Sequence, residues 1–213
     1  MGETMTERIV LASSNPGKVR EIGQMLAGLH LAVVPQSDFG VQEAAETGLT
    51  FVENAIIKAR NAAQHAGLPA IADDSGIEVD ALNGAPGIYS ARYAGEGASD
   101  DENLRRLLAD LVAVPAEKRT ARFQCLMVYM RHALDPTPVI CQGTWEGRIL
   151  FEPVGANGFG YDPVFFVPTH DCSSAQLPPE VKNRLSHRGQ ALRLLVAALD
   201  RMYPAAPGRA RKG

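Results

Sequence analysis

The sequence predicts an α/β protein with a mixed β-sheet flanked by helices. Strand and helix patterns alternate in the first half of the chain, whereas antiparallel strand patterns dominate after residue 120. The 213 residues are 46% hydrophobic and 21% charged, which is typical of a globular chain that buries one substantial core. We therefore expect one domain, which could have two lobes.

The first elements follow from apolar spacing. An apolar run at residues 9–12 predicts a strand, and apolar side chains at helical spacing over residues 19–29 predict a helix. A second strand at residues 31–34 ends before Pro35. Thr50 and Glu53 form a capping box that opens a second helix, which Gly67 ends.

A strand at residues 70–72 is expected to run into a tight turn, Asp73 to Gly76, and then into a returning strand. The elements expected after it are a helix capped by Ser99 and Glu102, strands near residues 120–133, 139–145, 147–151 and 164–167, and a last helix that begins at Ser186.

Charge and composition exclude several function classes. The formal net charge of −3 gives no general attraction to nucleic acid or to an anionic membrane. No stretch approaches the roughly 20 apolar residues that span a bilayer, and the amino terminus lacks the apolar region of a signal peptide. Three cysteines without a CxxC pair favour a reduced, cytoplasmic location. Residues 204–213 are predicted to be a disordered basic tail.

Residues 13–18, SSNPGK, lie between the first strand and the first helix, and this arrangement favours phosphate binding. The first N–H groups of a helix have no helical partner, so they attract an anion, and Lys18 adds a positive charge. A P-loop would need Gly at position 12 and Ser or Thr at position 19, where the chain has Ala12 and Val19. Any Mg²⁺ must therefore be held elsewhere. An ordinary turn with an exposed lysine remains the alternative.

Adjacent carboxylates at Asp73 and Asp74 repel each other unless a cation or proton compensates them. Neighbouring side chains of a strand point to opposite faces, so the two can share one cation only if the chain turns there. Glu46 is a candidate third oxygen ligand, and such hard ligands favour Mg²⁺ or Mn²⁺. The alternative is a polar turn without a ligand.

Three further segments carry weaker signals. In GFGYD, residues 158–162, the two aromatic side chains could stack on a nucleobase or close the edge of a core. In SHRGQ, residues 186–190, two basic side chains lie in the first turn of a helix, where the helix dipole disfavours cations. They are expected either to bind an anionic or carbonyl partner or to be solvated. A polar stripe of Asn54, Lys58 and Asn61 is expected to be solvated, with Lys58 as a further candidate. Serine-hydrolase and zinc-enzyme motifs are absent.

Six segments in order, SSNPGK, ETGLTFVENA, ADDSG, GAPGIYSARYAG, GFGYDPVF and SHRGQAL, closely resemble the inosine triphosphate pyrophosphatase family, in particular its bacterial dITP/XTP pyrophosphatases. The resemblance covers roughly residues 9–199. It implies one domain over residues 8–201 with an elongated mixed sheet, two lobes and a central cleft. It also implies a homodimer that uses Mg²⁺ to hydrolyse non-canonical purine nucleoside triphosphates to the monophosphate and pyrophosphate. This reaction would prevent the incorporation of such nucleotides into DNA and RNA.

The resemblance also assigns roles residue by residue. The triphosphate would be bound by the loop of Ser13, Ser14, Asn15, Pro16, Gly17 and Lys18. Asp74 would be the general base and a metal ligand, with Glu46 and Asp73 as further metal ligands and Ser75 as a substrate contact. The base would be bound by the loop of Phe159, Gly160, Tyr161 and Asp162, and its pocket completed by Lys182, His187 and Arg188. The chain departs from the family pattern at Leu177, Pro178 and Pro179, which leaves a helix there in question.

The implied reaction is attack of an activated water on the α-phosphorus, with pyrophosphate as the leaving group. A donor such as Arg188 would favour a 6-oxo purine over adenine, whereas the sequence does not show how guanine is rejected. Two rivals stay open: a P-loop type phosphatase, which would release orthophosphate, and a nucleotide sensor without turnover.

Overall fold

Seven strands of the described residues form one mixed β-sheet in this computed structural model, which describes residues 7–13, 16–29 and 31–203. The strands are β1 (Glu7–Leu11), β2 (Leu31–Pro35), β3 (Ala70–Val79), β4 (Thr120–Met130), β5 (Val139–Ile149), β6 (Phe165–Val167) and β7 (Cys172–Ser173). Their order is β2-β1-β3-β4-β5-β6-β7. β1 is parallel to β2 and β3, whereas β6 is antiparallel to β5 and β7. The predicted mixed-sheet α/β class is confirmed.

The α-helices of the described chain are α1 (Pro16–Leu26), α2 (Phe51–Ala66), α3 (Asp100–Asp110), α4 (Pro179–Leu185) and α5 (His187–Met202). The predicted caps are confirmed at two of them. The Thr50 hydroxyl accepts the N–H of Glu53 at the start of α2, and Ser99 forms a complete capping box with Glu102 at the start of α3. Gly67 ends α2 in the left-handed conformation that glycine adopts readily.

The chain divides into two compact units. The first comprises residues 1–73, 126–141 and 192–213, and the second comprises residues 74–125 and 142–191. In the first unit, buried alanines of α2 pack against β1, β3 and β4 at Val10, Ala72 and Val128. Small side chains let this helix approach the sheet closely, which fixes the backbone of α2 and of the residues bound to it.

The second unit has a larger core built around aromatic rings. Phe123, Trp145 and Phe165 lie within 6.3 Å of one another between ring centroids. Leu104 and Leu107 of α3 join the same cluster and are almost completely buried. α3 is therefore packed against the aromatic cluster of the second unit, the unit that also contains Ser75 and the loop at residues 158–162.

The predicted turn at residues 73–76 is wrong. β3 runs without a break from Ala70 to Val79, and nearly all of its residues are buried. The local preference of Asp, Ser and Gly for turns is overridden because β3 is a central strand with a neighbour on either side, and its apolar ends are buried at Ile71 and Ile77.

Three smaller expectations also need correction. β5 is one strand rather than two, and Gly147 lies in its interior. Glycine is needed there because an added Cβ would lie 2.5 Å from the Phe165 ring. β7, only two residues long, was not predicted. The prolines before Lys182 do not prevent a helix, because Pro179 occupies the first position of α4, where a missing N–H breaks no helical hydrogen bond.

Several predictions cannot be compared with the structure. Ser14, Asn15 and the tail at residues 204–213 lie outside the described residues. The arrangement of two lobes about a cleft stays a prediction. Within the described part of the chain, no helix has the length and apolar character needed to cross a membrane.

Candidate active site

The predicted phosphate loop joins β1 to α1, as the sequence indicated. β1 ends at Leu11, the N–H of Ala12 donates to the Ile71 carbonyl at 2.8 Å, and α1 begins at Pro16. Lys18 lies in the first turn of α1 and Gly17 is exposed beside it. A strand and a helix therefore flank the segment as predicted, and its role in binding an anion stays a prediction.

The polar stripe of α2 binds the irregular segment at residues 42–48, so the prediction that it is solvated is wrong. The Asn61 amide donates to the Gln42 carbonyl at 2.9 Å, and the Lys58 ammonium lies 2.9 Å from a carboxylate oxygen of Glu46. The Asn54 side-chain oxygen accepts the N–H of Gly48 at 2.8 Å. These contacts hold the irregular segment along the helix.

Gly48 lets this segment approach α2 closely. A Cβ on Gly48 would lie 2.6 Å from the Cβ of Glu53 and 2.7 Å from the side-chain oxygen of Asn54. Both distances are far shorter than real Cβ contacts, so only glycine fits. The carboxylate of Glu46, two residues earlier, is thereby fixed on the helix surface beside Lys58.

Asp73 and Asp74 are both buried in β3, with 5% and 9% of their surface exposed. Alternation along a continuous strand directs two consecutive side chains to opposite faces. Burying adjacent carboxylates is costly unless their charge is compensated, which suits a cation. Among the residues described, no three Asp, Glu, His or Cys side chains form a metal cluster. The two aspartates therefore do not meet the condition for sharing one cation. Mg²⁺ usually takes only one or two carboxylates and completes its shell with water and substrate phosphates, so one aspartate alone fits that ion.

The loop at residues 158–162 presents one ring and buries the other. Phe159 is 63% exposed, whereas Tyr161 is buried and its hydroxyl donates to the Ser90 carbonyl at 2.8 Å. Burial raises the pKa of the Tyr161 phenol, which keeps it protonated. Phe159 is thus available for stacking on a base, and Tyr161 anchors the loop to the core of the second unit.

Two cations flank the exposed ring of Phe159. The Lys182 ammonium lies 5.0 Å from the ring centroid and the Arg188 guanidinium carbon 5.9 Å from it. Arg188 also donates to the hydroxyl of Ser75 at 3.3 Å. The structure therefore brings together Ser75, Phe159, Lys182 and Arg188, which the resemblance assigned to one substrate site.

His187 lies among aromatic side chains. Its ring stacks on Phe123 at 4.7 Å between centroids and with 12° between the planes. Asp162 is also buried, with 3% of its surface exposed, and its carboxylate accepts the N–H of Phe159 at 2.8 Å. The buried carboxylate is bound by its own loop, so the structure places it behind the exposed ring.

Gly143 and Asp100 are not among the residues predicted from the sequence. In β5, an added Cβ on Gly143 would lie 2.0 Å from the His187 carbonyl oxygen, so the strand touches the first turn of α5 directly. A glycine inside a strand can mark such an approach, and this signal was available. The Asp100 carboxylate accepts the N–H of Gly160 at 2.7 Å, and no pattern in the sequence links those two residues.

Relatives of known name match almost the whole chain. A dITP/XTP pyrophosphatase of Vibrio parahaemolyticus is 64% identical over 194 residues, which are 91% of this chain and 97% of that protein. A dITP/XTP pyrophosphatase of Thioalkalivibrio sulfidiphilus is 62% identical over 193 residues, 91% and 98% of the two chains. The structure of a HAM1 protein from Coxiella burnetii has a TM-score of 0.89 and 51% identity, and the match covers 92% of this chain and 99% of that one.

The model of the Ham1 family matches residues 9–198, which include every described candidate residue named above. The resemblance read from six short segments and the family match thus cover the same part of the chain. On this match and on the identities of its relatives, the chain belongs to the Ham1 family.

Proposed function

We propose that this protein hydrolyses non-canonical purine nucleoside triphosphates, ITP, dITP and XTP, to the monophosphate and pyrophosphate. The relatives named dITP/XTP pyrophosphatases support the activity. The structural observation that carries the proposal is the exposed ring of Phe159 flanked by the cations of Lys182 and Arg188.

The contacts around Phe159 suit a 6-oxo purine. An aromatic face stacks on any base, so stacking alone does not discriminate. Hypoxanthine and xanthine carry an oxygen at position 6, which accepts hydrogen bonds from the guanidinium of Arg188 or the ammonium of Lys182. Adenine carries an amino group there, which is a donor and meets two donors that cannot accept. The pair of cations therefore favours the deaminated purines over adenine.

The phosphate end of the substrate has its own set of residues. We expect the loop at residues 13–18 and the start of α1 to bind phosphate oxygens, with Lys18 as a charged donor. Lys58, which pairs with Glu46, is a second cation of the same unit.

Mg²⁺ is the proposed metal, and the carboxylates that would hold it are drawn from Glu46, Asp73 and Asp74. Because Asp73 and Asp74 point to opposite faces of β3, only one of these two would bind a given ion. The ion supplies positive charge that offsets the developing charge on phosphate oxygens. Asp74 would accept the proton of the water that attacks the α-phosphorus. The bond between the α-phosphorus and the bridging oxygen to the β-phosphorus then breaks, and pyrophosphate leaves with that oxygen. The proposal includes a homodimer in the cytoplasm acting on free nucleotides rather than on nucleic acid, as the resemblance implies.

The test is a product assay with a panel of ITP, dITP, XTP, ATP and GTP, with and without Mg²⁺. We expect pyrophosphate from the first three nucleotides, only when Mg²⁺ is present, and no orthophosphate. Asp74→Asn should abolish turnover while largely sparing nucleotide binding. Asp80→Asn is the matched control, because Asp80 directly follows β3 and its carboxylate pairs with Arg122 and Thr120.

The two rival functions predict different results in this assay. Orthophosphate as the sole product would support a phosphatase of P-loop type. Tight binding of ITP without Mg²⁺-dependent turnover of any nucleotide in the panel would support a sensor. Either outcome would contradict the proposed function.

A further inference from the structure

The carboxylate of Asp162 is buried within the second unit and accepts hydrogen bonds from three residues. One of its oxygens, Oδ2, accepts the N–H of Phe159 at 2.8 Å and also the ammonium of Lys182. The other, Oδ1, accepts the hydroxyl of Ser174 at 2.8 Å. Ser174 is completely buried and 3% of Asp162 is exposed. Each oxygen of the carboxylate thus has a protein donor.

The backbone of the loop is shaped to bring it against this carboxylate. Gly158 has a φ of +81°, and a Cβ there would lie 2.1 Å from Oδ2 of Asp162. A side chain at position 158 would therefore displace the carboxylate. The N–H groups of both Phe159 and Gly160 are bound to carboxylates, of Asp162 and Asp100. The loop therefore turns its ring outward and the N–H of Phe159 towards the buried carboxylate of Asp162.

The segment just before the loop is also bound to the turn at residues 173–177, through two residues that precede Asp162 in the chain. The Ser173 hydroxyl donates to the Val154 carbonyl at 2.6 Å, and the Asn157 N–H donates to the Ala175 carbonyl at 3.0 Å. Ser174 is therefore held in register with Asp162, on a turn that does not depend on Lys182. The carboxylate has a fixed anchor on one side and a long, flexible lysine on the other.

We propose that Asp162 is a positioning residue that sets selectivity for 6-oxo purines by holding the Lys182 ammonium at a fixed place beside the Phe159 ring. The inference rests on the proposed function, in which Lys182 donates to the base. Lysine has four rotatable bonds in its side chain, and a buried anionic partner selects one conformation among many. Preorganising a donor in this way lowers the cost of binding, so it affects KM and base selectivity rather than the chemical step.

The alternative role for Asp162 is direct contact, in which its carboxylate accepts a hydrogen bond from the base. A double-mutant cycle separates the two roles, because two groups that act through one contact do not contribute independently. The variants are Asp162→Asn, Lys182→Ala and their combination, with Asp80→Asn as the matched carboxylate-to-amide control in the same unit. KM and kcat for ITP and for ATP are measured from pyrophosphate release, and Tm is measured for each variant.

We expect Asp162→Asn to raise KM for ITP about tenfold and leave kcat within about twofold, since a charged hydrogen bond is lost from the donor that binds the base. In the Lys182→Ala background the same change should alter KM by less than about twofold. The ratio of kcat/KM for ITP over ATP should fall by similar factors in both single variants. Asp80→Asn should leave all of these values unchanged.

If the two single substitutions raise KM by factors that multiply in the double variant, the inference is overturned in favour of direct contact. An unchanged KM in Asp162→Asn would overturn it outright. If Asp162→Asn does not fold, Ser174→Ala replaces it in the cycle, with Ser173→Ala as its control. Loss of one neutral donor to the carboxylate should raise KM about threefold, again only when Lys182 is present. Equal KM for the two serine variants would overturn the inference. Failure of the wild-type protein to release pyrophosphate from ITP would instead refute the proposed function.

Discussion

Gly143→Ala tests whether the close packing of β5 against α5 fixes the residues at the start of that helix. The added methyl group would lie 2.0 Å from the His187 carbonyl oxygen, 2.7 Å from the Ala191 nitrogen and 2.9 Å from the Gln190 Cβ. Ordinary contacts begin near 3.4 Å, so strand and helix must separate by about 1.4 Å. The two closest atoms belong to the backbone of α5, and no side-chain rotation can relieve those contacts.

The expected cost follows from that separation. Overpacking of a core usually costs about 1–3 kcal/mol, and a backbone clash belongs at the upper end, near 3 kcal/mol. For a chain of this length, that free energy lowers Tm by about 6–12 °C. A displacement of about 1 Å at catalytic or binding groups costs on the order of 100-fold in rate. Because His187 and Arg188 begin α5, kcat/KM for ITP should fall by about that factor.

Thermal unfolding by circular dichroism and pyrophosphate release from ITP measure the two effects. Gly23→Ala is the control, because Gly23 lies inside α1 and its added Cβ would meet only Val33, at 3.9 Å. Removing a glycine from a helix interior should stabilise the protein by about 0.5–1 kcal/mol. A Gly143→Ala variant with wild-type Tm and wild-type kcat/KM would refute the packing argument.

Two further predictions concern stability. Asp135 is buried, and the hydrogen bonds from Arg131, followed by those from the N–H groups of Arg131 and Thr137, lower the pKa of its carboxyl. The charged form therefore stabilises the fold above pH 4 and loses that effect as pH falls through the lowered folded pKa. Asp135→Asn should cost about 2 kcal/mol in urea unfolding at pH 7 and less at pH 3, where the carboxyl is already largely protonated in the unfolded chain, and an equal cost at both would contradict this reasoning. Arg119 is 2% exposed, and its guanidinium donates to three backbone carbonyls, those of Leu111, Val114 and Leu150. Arg119→Ala should lower the free energy of unfolding by about 3 kcal/mol. The control is Arg105→Ala, which removes an exposed pair with Asp101 and should cost under about 1 kcal/mol. Equal losses in the two variants would show that the hydrogen bonds to the buried carbonyls do not stabilise the fold.

Local patterns were sufficient for much of the fold. The caps at Thr50 and Ser99 and the stop at Gly67 depend on contacts within a few residues, so composition and spacing identified them. β3 shows the limit of that approach. Asp73 to Gly76 favours a turn locally, yet pairing with neighbouring strands and burial keep the segment extended. These effects depend on residues distant in sequence.

The candidate site was predictable in the same uneven way. Its motifs identified Phe159, Lys182 and Arg188, which the structure brings together. The motifs did not show that Asp162 faces inward, because the anchor at Ser174 lies twelve residues further along the chain in a segment without a motif. Nor did the spacing of the stripe on α2 reveal that it binds residues 42–48, since that contact depends on the path of an irregular segment.

We propose above that the protein releases pyrophosphate from ITP, dITP and XTP rather than from ATP. The most direct measurement is pyrophosphate and orthophosphate release from ITP and ATP, with Mg²⁺ or with EDTA, for the wild-type protein and Asp74→Asn. We predict that the wild-type protein releases pyrophosphate from ITP only when Mg²⁺ is present and releases little from ATP. The Asp74→Asn variant should release none. Orthophosphate from either nucleotide, or equal turnover of ITP and ATP, would contradict the account.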